Sequence, residues 1–159
     1  MLRTSLVGIA ALTMGCASVP PMRSGPLLDR YARATCVPAR RVSPGYFGLE
    51  WAQVIQGPSG CTARVVGGRA STGGVSVQYP PDTTGHVVAA FGEKSNPLDV
   101  RVDLGNCRLY VRSYGSPLFV KQVPTWLVEY DFGHRRELQA VQVEPEVLPS
   151  ECPESPGAG

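Results

Sequence analysis

No stretch of this 159-residue chain reads as a membrane-crossing helix. The apolar run Leu6–Leu12 near the start falls far below the ~20 apolar residues such a helix needs. A phosphate-cradling loop is missing too. Gly67–Gly74, "GGRASTGG", is rich in glycine but has no following Lys-Ser/Thr and opens no helical pattern, so it reads as a loop. "GPSGC" around Ser59 ends in Cys61 rather than glycine and lacks α/β alternation around it, so it is a tight turn rather than a nucleophile elbow. There is no CxxC pair, and the only histidines are His86 and His134, which leaves no standard zinc ligand set. The chain carries no internal repeat and no heptad. Its net charge is only +2, and falls to +1 if Arg3 is removed, so nothing in the charge argues for a polyanion and no nucleic-acid partner is expected. No cofactor and no metal are expected.

What is present is an ordinary globular composition, 43% hydrophobic and 18% charged, in a chain short enough to be one domain. Short β-prone runs recur about every ten residues with turn signals between them, as in all-β folds. "CTARVV" stops at Gly67-Gly68, "GVSVQY" at Pro80-Pro81, and "GHVVAAF" at Gly92. "GYFGLEWAQVIQ" fits a helix or a strand, and its β-like neighbourhood favours a strand. The clearest signal is "LDVRVDLGNCRLYVRSY". With Gly105-Asn106 as a two-residue turn, Leu104 faces Cys107, Val102 faces Leu109 and Val100 faces Val111. The other side then pairs Asp103 with Arg108, Arg101 with Tyr110 and Asp99 with Arg112, so one register satisfies both faces. A second hairpin runs from Trp126–Asp131 through "FGHRR" to "ELQAVQV". Leu27, Leu28, Tyr31 and Ala34 have helical spacing and predict one short N-terminal helix. With about eight strands, the expected fold is an all-β sandwich over 27–148, with a small β-barrel as the alternative. A Pro/Glu-rich tail over 149–159 is expected to be flexible.

The first residues follow another logic. Arg3 precedes the apolar run and small residues follow, which is the order of a secretory signal peptide over 1–15. Leu12-Thr13-Met14-Gly15-Cys16 resembles the lipobox of bacterial lipoproteins. That resemblance implies cleavage before Cys16, lipidation of its thiol by diacylglycerol, and acylation (palmitate) of the new amine. It further implies anchoring, with Ala17 permissive for the outer membrane. Residues 16–26 would then be a tether. The competing reading is cleavage after Ala17, using Gly15 and Ala17 as the small pair. Either way an even set remains, Cys36, Cys61, Cys107 and Cys152, and in an exported chain this reads as two disulfides. Three pairings are open. Cys36–Cys61 with Cys107–Cys152 is the one expected, each closing a loop worth roughly 3–4 kcal/mol in the chain-entropy model.

Two candidate sites remain. Glu129, Asp131, His134 and Glu137 form the one titratable cluster near neutrality, where His134 oriented by Asp131 has the form of a general base. Its place at a hairpin turn beside Arg135 and Arg136 favours plain solvation. Arg108, Tyr110, Arg112 and Tyr114 lie on the hairpin's outward face, and form a candidate surface for a sugar ring or a protein partner if nothing covers them. The functional expectation is a non-enzymatic envelope lipoprotein, an accessory or scaffolding subunit of a membrane, secretion, motility or surface assembly. Its partners would be the outer membrane, through the lipid, and other envelope proteins. A module binding cell-wall or surface glycan is the alternative, and a hydrolase using His134 the third.

Overall fold

The structure, a computed structural model, describes residues 19–41, 49–67, 75–79, 85–89, 96–114, 124–153 and 155. The signal segment, Cys16 and most of the Gly67–Gly74 loop lie outside the described residues. One helix, α1 (Pro26–Arg33), precedes strands β1 (Thr35–Cys36), β2 (Arg40–Arg41), β3 (Leu49–Gln56), β4 (Thr62–Gly67), β5 (Val75–Gln78), β6 (Gly85–Ala89), β7 (Asn96–Asp103), β8 (Arg108–Tyr114), β9 (Thr125–Asp131) and β10 (Arg136–Val143). They form two five-stranded antiparallel sheets: a front sheet in the order β1-β7-β8-β9-β10 and a back sheet in the order β2-β3-β4-β5-β6. The fold is a disulfide-stapled β-sandwich, with one short helix and no closed barrel among the described residues.

Alternation produces the layers, because a strand turns successive side chains to opposite faces. Val100, Val102, Leu109, Val111, Val128 and Tyr130 of the front sheet meet Ile55, Ala63, Val65, Val75 and Val77 of the back sheet in the main core. The β7–β8 register is the expected one, with Asp103 opposite Arg108, Val102 opposite Leu109 and Val100 opposite Val111. "LEWAQVIQ" is a strand, paired with β4 from Trp51 to Gln56 and with β2 at Leu49 and Glu50.

The turn between β7 and β8 differs from the expectation. Gly105-Asn106 is not a two-residue connection. Leu104–Asn106 makes a 3-10 turn and Cys107 adopts the left-handed conformation at φ 54°, so four residues link the strands and Leu104 is exposed. Four-residue loops of this kind are built around a type I turn and tolerate a longer side chain where a two-residue turn demands positive φ twice.

A second core lies on the outer face of the front sheet. Pro26 opens α1, where its missing N–H costs nothing, and Leu27, Leu28 and Tyr31 point down from it onto Tyr110, Leu127 and Val143. Each such fully buried side chain contributes roughly 1.5–3 kcal/mol by transfer. The C-terminal segment completes this layer. Val147 and Leu148 pack into the second core. Residues 149–153, read from composition as the start of a flexible tail, lie against the sheet: Arg101 donates to the Ser150 carbonyl at 2.8 Å, Arg112 to that of Pro149 at 3.0 Å, and the Cys152 amide donates to Asp99 at 3.2 Å.

The cysteines pair as two disulfides, but not as neighbours in sequence. The bridges are Cys36–Cys152 and Cys61–Cys107, with Cα–Cα distances of 5.7 and 5.8 Å. The reason is topological. Cys36 sits on β1 opposite Arg101 of β7, where the returning C-terminal segment also docks. Cys61 and Cys107 end the β3–β4 and β7–β8 loops, which meet at one end of the sandwich. There a Cβ on Gly57 would stand 2.7 Å from the Leu104 carbonyl oxygen, so only glycine permits this approach of the two loops.

Candidate functional site

Asp131 and His134 do come together. Asp131 ends β9, almost wholly buried, and its two oxygens take the His134 amide at 3.0 Å and the His134 Nδ1 at 2.8 Å. Arg108, directly opposite on β8, adds an ion pair at 3.0 Å. Burial alone would raise the Asp131 pKa, but the two bonds from His134 and the Arg108 charge outweigh it and hold the carboxyl below its ordinary range. The dyad that the sequence suggested therefore exists as a contact.

Its meaning comes from the neighbouring hairpin. The β7–β8 connection reads Asp103-Leu104-Gly105-Asn106-Cys107-Arg108, and the β9–β10 connection Asp131-Phe132-Gly133-His134-Arg135-Arg136. In both, the first and last residues are opposed across the ladder, and the fifth is left-handed, Cys107 at φ 54° and Arg135 at φ 56°. In the first, Asp103 takes the Asn106 amide at 3.3 Å and the Asn106 side chain at 2.8 Å. His134 therefore stands where Asn106 stands, and bonds as Asn106 bonds. An Asp side chain accepting from the amide three residues on is a common way to close a turn. The His134–Asp131 pair is the second copy of one loop design, and its geometry is accounted for by the turn. This correspondence could have been read from the shared Asp-apolar-Gly pattern, but two six-residue matches are too short to register as a repeat.

The loops are fastened to one another. Arg108 also donates to the Asn106 carbonyl at 2.8 Å, and the Phe132 amide donates to the Cys107 carbonyl at 3.1 Å. A Cβ on Gly133 would lie 3.3 Å from the Cys107 Cβ and 3.4 Å from the Cys61 sulfur, so the β9–β10 loop rests on the disulfide. Beside it a recess of about 370 Å³ is lined by Thr62, Tyr79, Phe132 and Arg135 among others. The Arg135 guanidinium lies 4.3 Å over the Tyr79 ring, and the Tyr79 hydroxyl bonds that of Tyr130. Burial, then the bond to Tyr130, pushes the Tyr79 hydroxyl well above its ordinary value.

The candidate surface of Arg108, Tyr110, Arg112 and Tyr114 is corrected by the structure. These residues do face outward from the sandwich core, but α1 and the C-terminal segment cover that face. Tyr110 is fully buried, Arg112 nearly so, and Arg108 and Tyr114 half-buried. Beneath the cover lies a layer of paired charge. Glu129 accepts from Arg30 Nε and Nη2, at 3.1 and 2.9 Å, and from the Gln139 side-chain amide at 2.7 Å. Burial opposes its ionisation, yet Arg30 and Gln139 together bring its pKa below the ordinary value. Asp99 accepts from the Tyr31 hydroxyl at 2.7 Å and lies 3.9 Å from Arg112. Here burial wins over Tyr31, Arg112 and Arg101, and the pKa is raised. Arg101 also lies 4.6 Å over the Tyr31 ring.

Among the described residues, no group of three His, Cys, Asp or Glu side chains gathers to hold a metal ion, and no helix is long and apolar enough to cross a membrane. The class that fold and site define is a two-sheet antiparallel sandwich whose buried charged residues, among those described, are bonded within its own turns and cover. No protein-family model matches the chain, no curated protein matches it, and no solved structure matches it.

Proposed function

We propose that the chain is an exported, lipid-anchored β-sandwich serving as a non-enzymatic accessory or scaffolding subunit in a bacterial envelope assembly. The observation that carries this reading is the state of the cysteines. Cys36, Cys61, Cys107 and Cys152 are all consumed in two bridges, which belong to an oxidising compartment rather than a reducing cytosol. That arrangement agrees with a signal segment followed by Cys16, the one cysteine outside the bridges, set apart for lipidation. The reading gains from the turn role of His134 and Asp131, which explains the contact without chemistry, and from the commitment of Glu129 and Asp99 to Arg30 and Tyr31.

The test is the intact mass of the protein from its native host, with and without reduction. A chain beginning at Cys16 with acyl groups, gaining about four hydrogens on reduction, is the expected result. A lipid-free chain beginning at Ser18 would remove the anchor and with it the envelope-lipoprotein reading.

A further inference from the structure

Strand β10 forms one edge of the front sheet, and the segment before α1 lies along part of it. The Met22 amide donates to the Gln142 carbonyl at 2.8 Å and the Met22 carbonyl accepts from the Glu144 amide at 2.9 Å, a parallel bridge opposite Val143. The ladder stops there because Pro20 and Pro21 have no N–H to give. Where the proline segment parts from the edge, a recess of about 410 Å³ opens between them. Its lining is Val19, Pro20, Met22, Trp126, Ala140, Val141 and Gln142, uncharged throughout, with the Gln142 amide and the Trp126 indole N–H as its polar side-chain groups. A volume of this order falls in the range of small-ligand sites, about 300–1,000 Å³. Val19, on its rim, is 84% exposed, an apolar residue held in the open at the mouth of an apolar hollow.

We propose that this recess is a binding site for a long alkyl chain, and that its occupant is an acyl chain carried by Cys16 of the same molecule. The inference rests on the reading that Cys16 is lipidated. Two features select this occupant. Val19 and Pro20, which wall the recess, are also the residues that tether Cys16. Three residues span at most about 10 Å, so the root of the lipid is confined near the mouth. The lining is uncharged and mostly aliphatic or aromatic, which suits an alkyl chain. The recess would shelter one chain while the anchor is out of a bilayer and yield it when a membrane is at hand.

The test uses the exported full chain with Cys16→Ser, titrated with a fatty acid that carries a nitroxide on its alkyl chain, below its micelle concentration. Trp126 in the lining is the reporter. Saturable quenching of part of the tryptophan emission is expected, weakened about tenfold by Val19→Glu, since one lost apolar contact of ordinary size has that effect. Val19 is too exposed for that substitution to disturb folding. No quenching, or quenching indifferent to Val19→Glu, overturns the recess as the site. The intact mass separates the two ideas. Lipidated native protein whose Cys16→Ser form binds no fatty acid refutes the recess alone. Lipid-free native protein refutes the anchor, and with it this occupant, whatever the titration shows.

Discussion

Asp131 holds two partners for two purposes, and substitution separates them. Its bonds to His134 close a turn, while its ion pair with Arg108 ties that turn to the neighbouring hairpin. Because Asn106 does in the first loop what His134 does in the second, His134→Asn should leave stability within about 0.5 kcal/mol of the parent in urea unfolding. His134→Ala, which removes the side-chain bond only, should cost about 1 kcal/mol, as loss of a cap does. Asp131→Ala should cost more, about 2 kcal/mol, because it removes a charged acceptor and takes from Arg108 its ion pair, leaving only the bond to the Asn106 carbonyl; that figure already allows for the partial exposure of Arg108. If His134→Asn proved as damaging as Asp131→Ala, the correspondence of the two loops would be wrong. Glu129 belongs to the same scale. Glu129→Gln keeps the volume but gives up two charge-assisted bonds to Arg30, and the expected loss is about 2 kcal/mol, discounted for the exposure of the arginine. The double variant with Arg30→Met should recover part of it.

At the scale of elements, the strands were legible and their connections were not. Alternation in "LDVRVDLGNCRLYVRSY" defined the β7–β8 register because a slip of one residue would drive Asp99, Arg101 and Asp103 into the core. α1 was legible from Leu27, Leu28 and Tyr31 for the same kind of reason. The turn was misread because a Gly-Asn pair is a strong local signal, and only the paired register of both hairpins shows that four residues intervene. Covering of Tyr110 and Arg112 was illegible as well. Whether an outward face meets water depends on where distant segments return, and residues 147–153 return from beyond the last strand. Two disulfides were legible from the even cysteine count, but their pairing failed in the same way, since nearness in sequence says little about which loops meet. One element can be tested directly. Cys152→Ser should free residues 149–153, seen as rapid amide exchange at Cys152 and its neighbours while β8 and β9 stay protected. The Cys36–Cys152 bridge encloses the Cys61–Cys107 bridge, which shortens the loop that Cys36–Cys152 closes, and the loss should be about 4.4 kcal/mol in the chain-entropy model. A tail that stayed protected without the bridge would mean that Arg101 and Arg112 hold it unaided.

For the whole molecule, the buried carboxylates make stability depend on pH with opposing signs. Glu129 and Asp131 have folded pKa values below their ordinary ones, so the folded state holds fewer protons than the unfolded chain as pH falls through that range. Their contribution is complete above about pH 4.5 and is lost on acidification through their folded values. Asp99 runs the other way. Its folded pKa is raised by burial, so the folded state binds its proton more readily and gains stability as pH falls toward the ordinary value near 4. Urea unfolding of the parent, Glu129→Gln and Asp99→Asn between pH 7 and pH 3 separates the two signs. The deficit of Glu129→Gln relative to the parent should shrink below about pH 4.5, because the parent loses there what the variant never had. Asp99→Asn should instead compare best with the parent near neutrality and fall behind as acid protonates Asp99 in the parent and strengthens it. Parallel curves for Asp99→Asn and the parent would show that Tyr31, Arg112 and the Cys152 amide compensate the burial of Asp99, and that its covered position does not govern its proton.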